Sequence, residues 1–165
     1  MNPLRRRIVL GAPLAGLAGV AAAIEAPLGP VVLSIGSASA ESKKRSDFDM
    51  AMLKRMAQRS IRTETPWYSG ERTFSGPLLR EVLAAVGATG KVMHMTALND
   101  YVVEVPLADA QEHDVILAHE LDGKPMTVRE KGPLFVMYPF DVKPHLRNAV
   151  YFGRCVWQLR SIELM

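Results

Sequence analysis

The chain has 165 residues with 20 Lys and Arg against 17 Asp and Glu, a formal net charge of +3. This length predicts a single domain. Much of the positive charge is N-terminal, since residues 41–165 carry 17 basic and 16 acidic side chains and a net charge of only +1. No basic surface is left to attract a polyanion, which argues against nucleic-acid binding.

The N-terminal 40 residues have the pattern of an export signal. Three arginines at positions 5–7 precede an apolar stretch over residues 8–35, which is followed by Ala38-Ser39-Ala40. A positive segment, an apolar segment and an A-x-A site are typical of a cleavable signal peptide. We therefore expect residues 1–40 to be removed after Ala40 and the mature protein to be periplasmic.

Two questions about export stay open. The arginine run is compatible with either the Sec or the twin-arginine route. An uncleaved membrane anchor is the alternative to cleavage, but three prolines and Glu25 interrupt the apolar stretch and are unfavourable in a bilayer. We expect a polar leader over residues 41–47 and a single domain over residues 48–165.

The first part of the mature chain contains two predicted helices. The first begins at Ser46, with Asp49 as an approximate capping box, and presents Phe48, Met52 and Met56 on one face. A strand is expected over residues 60–65, where β-branched residues are frequent and Pro66 ends the run. The stronger helix covers residues 77–86, with Pro77 in its first turn and Gly87 just beyond its end.

The rest of the chain has β character. Residues 92–98 and 101–107 predict a hairpin, because Asn99 and Asp100 both tolerate the left-handed conformations of a tight turn. Further strands are predicted over residues 115–121, 126–128, 134–138 and 156–164, and an irregular segment over residues 140–153. The fold class is therefore α+β, with two or three helices on a mixed, mainly β core.

The histidines and the cysteine do not occur in a sequence pattern typical of a metal site or of a catalytic nucleophile. None of the four histidines, at positions 94, 113, 119 and 145, falls in a recognised ligand spacing. Cys155 is the only cysteine, so it cannot form an internal disulfide, and no histidine adjoins it to activate the thiol. We predict no metal site and expect a buried, inert cysteine.

Four polar and aromatic stretches lie at the ends of predicted strands, where a rigid scaffold displays binding groups. They cover residues 62–67, 99–101, 129–133 and 138–139. Their chemistry suits a flat heterocycle with an aminopyrimidinone edge. Asp100 or Glu64 would accept the N–H donors of that edge, and Arg129, Lys131 or Asn99 would face its carbonyl.

Each stretch also has a purely structural interpretation. Trp67 could cover the helix over residues 77–86, Asn99 and Asp100 could only turn the hairpin, and Arg129 could be surface charge. A binding site is favoured because the stretches offer complementary chemistry when taken together.

The order of several motifs resembles a known family. They are T-x-T-P-W, F-S-G-P-L-L-R-E-V-L, A-L-N-D-Y-V-V-E-V-P-L, D-G-K-P-M-T-V-R-E-K-G-P-L-F-V-M-Y-P and W-Q-L-R-S-I-E-L. Together they resemble small exported molybdopterin-binding oxidoreductase-like domains of sulfite-oxidase fold. In the molybdenum enzymes of this fold, a loop cysteine supplies a thiolate to the metal. The matching region here, residues 63–67, has no cysteine, and threonine does not replace a soft thiolate.

The resemblance therefore implies a pterin-sized pocket rather than a molybdenum enzyme. Trp67 and Tyr101 would stack on the ring, Asp100 or Glu64 would bind its pyrimidine edge, and further polar groups would complete the frame. The predicted binding residues are Thr65, Trp67, Asn99, Asp100, Tyr101, Arg129 and Lys131.

Three functions follow from this resemblance. The first is a non-catalytic periplasmic protein that binds a reduced pterin and relays its ligand state to a membrane sensor with cyclic-di-GMP domains. The alternative is a molybdopterin-dependent oxidoreductase or electron-transfer component. The third is an interaction domain whose pocket holds no ligand.

Overall fold

A computed structural model of the chain describes residues 25–37 and 45–165. Within these ranges the elements, in chain order, are β1 (Val31–Ser37), β2 (Ser46–Asp49), α1 (Met50–Arg55), β3 (Gln58–Thr65), β4 (Tyr68–Pro77), α2 (Leu79–Ala85), β5 (Val92–Ala97), β6 (Val102–Pro106), α3 (Leu107–Glu112), β7 (Ile116–Ala118), β8 (Glu120–Leu121), β9 (Lys124–Pro125), β10 (Phe135–Met137), α4 (Ala149–Arg154) and β11 (Leu159–Leu164). Short 3-10 helices cover Val128–Glu130 and Pro144–Leu146. Short helices on a largely β core confirm the α+β prediction.

Three sheets organise the described part of the chain. The largest has the strand order β2-β1-β11-β5-β6, in which β1 and β11 are parallel and the other neighbours antiparallel. The second has the order β3-β4-β8-β9, and β7 pairs with β10 in the third. No helix within these residue ranges is both long and apolar enough to cross a bilayer.

The sheets bury one continuous apolar core. Successive side chains of a strand point to opposite faces, and β5 accordingly buries Met93, Met95 and Ala97 while the residues between them are partly exposed. Strands β7 and β10 are buried at every position. This confirms the prediction of a fully buried strand within residues 134–138.

Part of the predicted signal peptide forms a strand of the largest sheet. Val31–Ser37 forms an interior strand, hydrogen-bonded to β2 on one side and to β11 on the other. Its Leu33 and Ile35 side chains are buried in the core. These residues fall within the segment that the sequence assigned to the signal peptide, while residues 1–24 and 38–44 lie outside the described ranges.

Two predictions of local secondary structure were wrong. The helix expected from Ser46 begins at Met50 instead, because residues 46–49 pair with β1 as a strand and Asp49 is the helix N-cap. The segment expected to be irregular, residues 140–153, contains most of α4. Asn148 caps this helix by accepting hydrogen bonds from the backbone N–H groups of Val150 and Tyr151, at 3.0 and 3.4 Å.

The stronger predictions in the middle of the chain are confirmed. Helix α2 lies within the predicted residues 77–86, and Gly87 follows it with the positive φ of 63° expected of a C-terminal glycine. Strands β5 and β6 form the predicted hairpin, with Asp100 in the left-handed conformation at φ 64°.

Candidate functional site

A cavity of about 510 Å³ lies where four segments of the chain meet. These segments are the β3–β4 turn, the β5–β6 turn, helix α4 and the residues that precede β11. The lining residues are Pro66, Trp67, Asn99, Tyr101, Ala149, Phe152, Gly153, Cys155, Val156 and Trp157. This volume is in the range of small-molecule sites in proteins.

The β3–β4 turn supplies the central aromatic side chain. Thr65 pairs with Tyr68, so Pro66 and Trp67 form the two-residue connection between the strands. The Trp67 ring lies edge to face against Phe135, Phe152 and Trp157, with centroid distances of 5.3, 6.0 and 6.0 Å. Edge-to-face packing is a favoured arrangement of aromatic rings. Trp67 is therefore held in place by residues from three other parts of the chain.

Helix α4 is fixed beside the cavity by a buried carboxylate. Asp109 accepts hydrogen bonds from the Tyr138 hydroxyl at 2.7 Å and from Arg154 Nη1 at 2.9 Å. Burial, followed by the hydrogen bond to Asp109, raises the pKa of Tyr138, so its hydroxyl stays a neutral donor. Arg154 also lies over the Tyr151 ring, 5.1 Å from its centroid. These contacts set the end of α4 and the residue that follows it, Cys155.

Cys155 is buried, as the sequence predicted, but it also lines the cavity. Burial raises the pKa of its thiol well above the ordinary value of 9.0, so the thiol is neutral at physiological pH. A neutral thiol is a poor nucleophile. Its presence at the cavity was missed because Cys155 is distant in sequence from the other predicted site residues.

The β5–β6 turn brings Asn99 and Tyr101 to the cavity, whereas Asp100 points its carboxylate elsewhere. Asn99 Oδ1 accepts a hydrogen bond from the Tyr101 backbone N–H at 3.3 Å, which stabilises the turn. The Tyr101 side chain is 59% exposed and lines the cavity. Asp100 forms an exposed ion pair with Arg160 on β11. The pyrimidine-binding role expected of Asp100 would require this ion pair to be shared or broken.

The remaining predicted residues lie around the cavity rather than in its lining. Thr65 precedes Pro66 and is buried, and its Oγ1 has no hydrogen-bond partner in the described residues. Lys131 Nζ lies 4.8 Å from the centroid of the Trp157 ring. Arg129 is in the exposed 3-10 helix Val128–Glu130, and the Glu64 carboxylate is 3.7 Å from Arg147 at an exposed position.

Three of the predicted residues, Trp67, Asn99 and Tyr101, line the cavity. The other seven lining residues were not predicted from the sequence. Of these, Trp157 belongs to a motif that carried the family resemblance, and Pro66 adjoins Trp67 in another. The lining residues Ala149, Phe152 and Gly153 are on α4, the helix that the sequence did not predict. No local sequence pattern predicted these three residues as part of a site.

The cavity lining contains no charged side chain. Its polar groups are the Asn99 amide, the Tyr101 hydroxyl, the Cys155 thiol and the indole N–H groups. The cation Lys131 contacts the site through the face of the Trp157 ring. Such a cavity suits a flat ring with a few hydrogen-bonding groups.

The donor set tests whether a molybdenum cofactor fits. In the described residues there is no group of three or more His, Cys, Asp or Glu that could hold a metal. The turn beside the cavity carries the Thr65 hydroxyl, and the single nearby thiol is kept neutral by burial. The resemblance to molybdenum enzymes of this fold implies that a loop cysteine would bind the metal, and cysteine thiolate is a soft ligand. The residues around the cavity therefore suit the organic pterin part of such a cofactor, and residues 63–67 lack the thiolate that would hold its metal.

Comparison with known proteins identifies the class. Residues 39–163 match the family model "Oxidoreductase molybdopterin binding domain", so the chain belongs to this family. Among curated protein sequences, none matches the chain.

The fold is that of the sulfite-oxidase type. A similar solved structure is the sulfane dehydrogenase SoxCD from Paracoccus pantotrophus, with a TM-score of 0.56 and 16% sequence identity. The match covers 79% of this chain and 37% of that one, so the chain spans well under half the length of that protein. At this identity the likeness defines the fold alone.

Proposed function

We propose that the protein is a non-catalytic periplasmic pterin-binding protein. The observation that carries this proposal is the aromatic cavity itself. It is formed within a molybdopterin-binding fold, its lining is uncharged, and residues 63–67, which match the metal-binding loop of the molybdenum enzymes, contain no cysteine. A reduced pterin offers a flat ring for Trp67 and Tyr101 and several polar edge atoms for Asn99.

Ligand binding would act through a partner protein. We propose the periplasmic region of a membrane sensor that carries cyclic-di-GMP synthesis or degradation domains. The ligand must then change the affinity of the protein for this partner, and a coupling free energy of about 1–3 kcal/mol is typical. Around the cavity, Tyr101, Val102 and Leu98 form a neighbouring set of exposed apolar side chains that could report the ligand state to a partner.

The first experiment identifies the ligand. The protein is purified from the periplasm of its own organism, and the small molecules released on denaturation are analysed by fluorescence and mass spectrometry. We expect a pterin and no molybdenum by elemental analysis of the same sample. Stoichiometric molybdenum would contradict the proposal, and the absence of both metal and small molecule would favour an interaction domain without ligand.

The second experiment tests the signalling role. Binding to the sensor's periplasmic region is measured by calorimetry with and without the released pterin, for the wild-type protein and for Val102→Glu. We expect ligand-dependent binding that Val102→Glu abolishes while pterin retention is unchanged, because Val102 is exposed and outside the cavity lining. Equal affinity with and without pterin would refute the relay.

One observation favours the alternative, a molybdopterin-dependent oxidoreductase or electron-transfer component. Cys155 places a thiol in the cavity lining, although on a different segment from the expected loop. Metal binding could deprotonate this thiol despite its raised pKa. If Cys155 held a metal, Cys155→Ser would lose molybdenum, and under our proposal the variant retains its pterin.

A further inference from the structure

Strand β1 is hydrogen-bonded to a neighbouring strand along both of its edges. Residues Ser34 to Ser37 lie opposite Ser161 to Leu164 of β11, and residues Val31 to Ile35 pair with β2. Leu33 is fully buried and Ile35 nearly so. Removal of this strand would leave one edge of β11 unpaired and open a hole in the apolar core.

The residues just before β1 are also attached to the domain. The backbone N–H groups of Leu28 and Gly29 both donate to Asp49 Oδ2 at 2.9 Å. The other oxygen of this carboxylate, Oδ1, accepts from the Met52 N–H at 2.8 Å and so caps α1. Cleavage after Ala40 would remove two of the three donors to a buried carboxylate. The folded domain therefore extends at least to Leu28.

We propose that export processing cuts the peptide bond between Ala23 and Ile24 and leaves β1 in the mature protein. Ala21-Ala22-Ala23 provides an A-x-A site ahead of Leu28. A cut there leaves an apolar segment of 13 residues, Ile8 to Val20, within the usual range of about 7–15. A cut after Ala40 would require the far longer stretch over residues 8–35. The step is a hydrolysis by a signal peptidase, in which water leaves a carboxylate on Ala23 and a free amine on Ile24.

This inference rests on the proposed periplasmic location. Its experiment therefore distinguishes a wrong processing site from a wrong location. The wild-type chain is exported in its own organism, and the periplasmic protein is examined by N-terminal sequencing and intact mass. We expect an N terminus at Ile24. A periplasmic protein that starts at Glu41 would overturn the processing site alone, whereas an uncleaved cytoplasmic chain would overturn the location and the processing together.

A matched pair of variants sharpens the assignment. Ala23→Phe places a large residue at the cut site and should accumulate the unprocessed precursor. Ala40→Phe makes the same change at the other A-x-A site and should be processed like the wild type. The reverse pattern would overturn the proposal.

The thermal stability of the exported protein shows whether β1 is still present, without the cleavage site being located. Leu33→Ala should lower the Tm by roughly 8–15 °C, because a fully buried leucine is lost from a protein of this size. Val31→Ala, on the same strand at a half-exposed position, should change it by only about 1–2 °C. If β1 were removed during export, neither variant would differ from the wild type, and that result would overturn the inference.

Discussion

Trp67 and Trp157 lie on widely separated segments of the chain, yet their rings meet edge to face with centroids 6.0 Å apart and planes at 74°. Trp67 is in the β3–β4 turn, and Trp157 precedes the last strand. Both line the same cavity, and Phe135 packs against both rings. The wall of the cavity is thus continuous with the core through Phe135, which is fully buried.

Replacement of Trp67 by alanine should weaken pterin binding. Loss of one stacking surface costs about 1–3 kcal/mol, or roughly 5–150-fold in Kd. The measurement is a fluorescence titration with biopterin in its oxidised and reduced forms. Because Trp67 also contacts the core, Tyr101→Ala serves as a second variant at an exposed site and should weaken binding with no loss of Tm. Unchanged affinity in both variants would exclude this cavity as the pterin site.

Cys155 should resist alkylation in the native protein. Its thiol is buried and its pKa is raised by burial, so little reactive thiolate is present at pH 8. We expect iodoacetamide to label it slowly in buffer and completely in urea, as measured by intact mass. Bound pterin should slow native labelling further, since Cys155 lines the cavity. Rapid labelling of the folded protein would contradict the environment described for this thiol.

Gly76→Ala should disrupt the packing of β4 against β7. A Cβ atom on Gly76 would lie 1.9 Å from the backbone oxygen of Leu117, and a backbone atom cannot move aside as a flexible side chain does. We expect loss of cooperative thermal unfolding by circular dichroism. The matched control is Gly153→Ala in α4, where no atom lies within 4 Å of the added Cβ. This change should be neutral or stabilise by about 0.5–1 kcal/mol.

Acid should destabilise the domain partly through Asp49. The backbone N–H of Met52, followed by that of Gly29, lowers the pKa of this carboxyl below its ordinary value of 3.8. As pH falls, the unfolded chain therefore takes up its proton before the folded one does. The stabilisation is complete above about pH 4 and is lost as pH falls through the folded pKa.

Thermal melts between pH 2 and pH 6 test this effect. The Tm of the wild type should fall more steeply below pH 4 than that of Asp49→Asn, which has no ionisable group at this position. Part of the acid sensitivity should remain in the variant, because the Thr73 backbone N–H similarly lowers the pKa of Asp122. Parallel melting curves for the two proteins would contradict a role for Asp49.

The elements that were predicted correctly have a strong local sequence pattern, either a period of apolar residues or a pair of turn residues. The period of apolar residues identified α2, and the Asn99-Asp100 pair identified the β5–β6 hairpin. Strand β1 was missed because its run of Val, Leu and Ile is equally suited to a signal peptide. Helix α4 was missed because six residues are too few to show an apolar period.

The site was predictable only where binding groups adjoin turns. Trp67, Asn99 and Tyr101 are turn residues, and all three line the cavity. Phe152, Cys155 and Val156 reach it through tertiary contacts that no local pattern encodes. The charged residues Asp100 and Glu64 form ion pairs at exposed positions outside the lining, so their predicted binding roles stay predictions.

The parallel pairing of β1 with β11 also bears on how the protein is made. Ser34 lies beside Ser161, so the largest sheet cannot close until the chain through β11 has left the ribosome. Contacts between such distant segments form slowly, and the apolar strands stay accessible to aggregation in the meantime. The edge of β1 that pairs with β11 therefore stays without its partner strand until residues 159–164 have been synthesised.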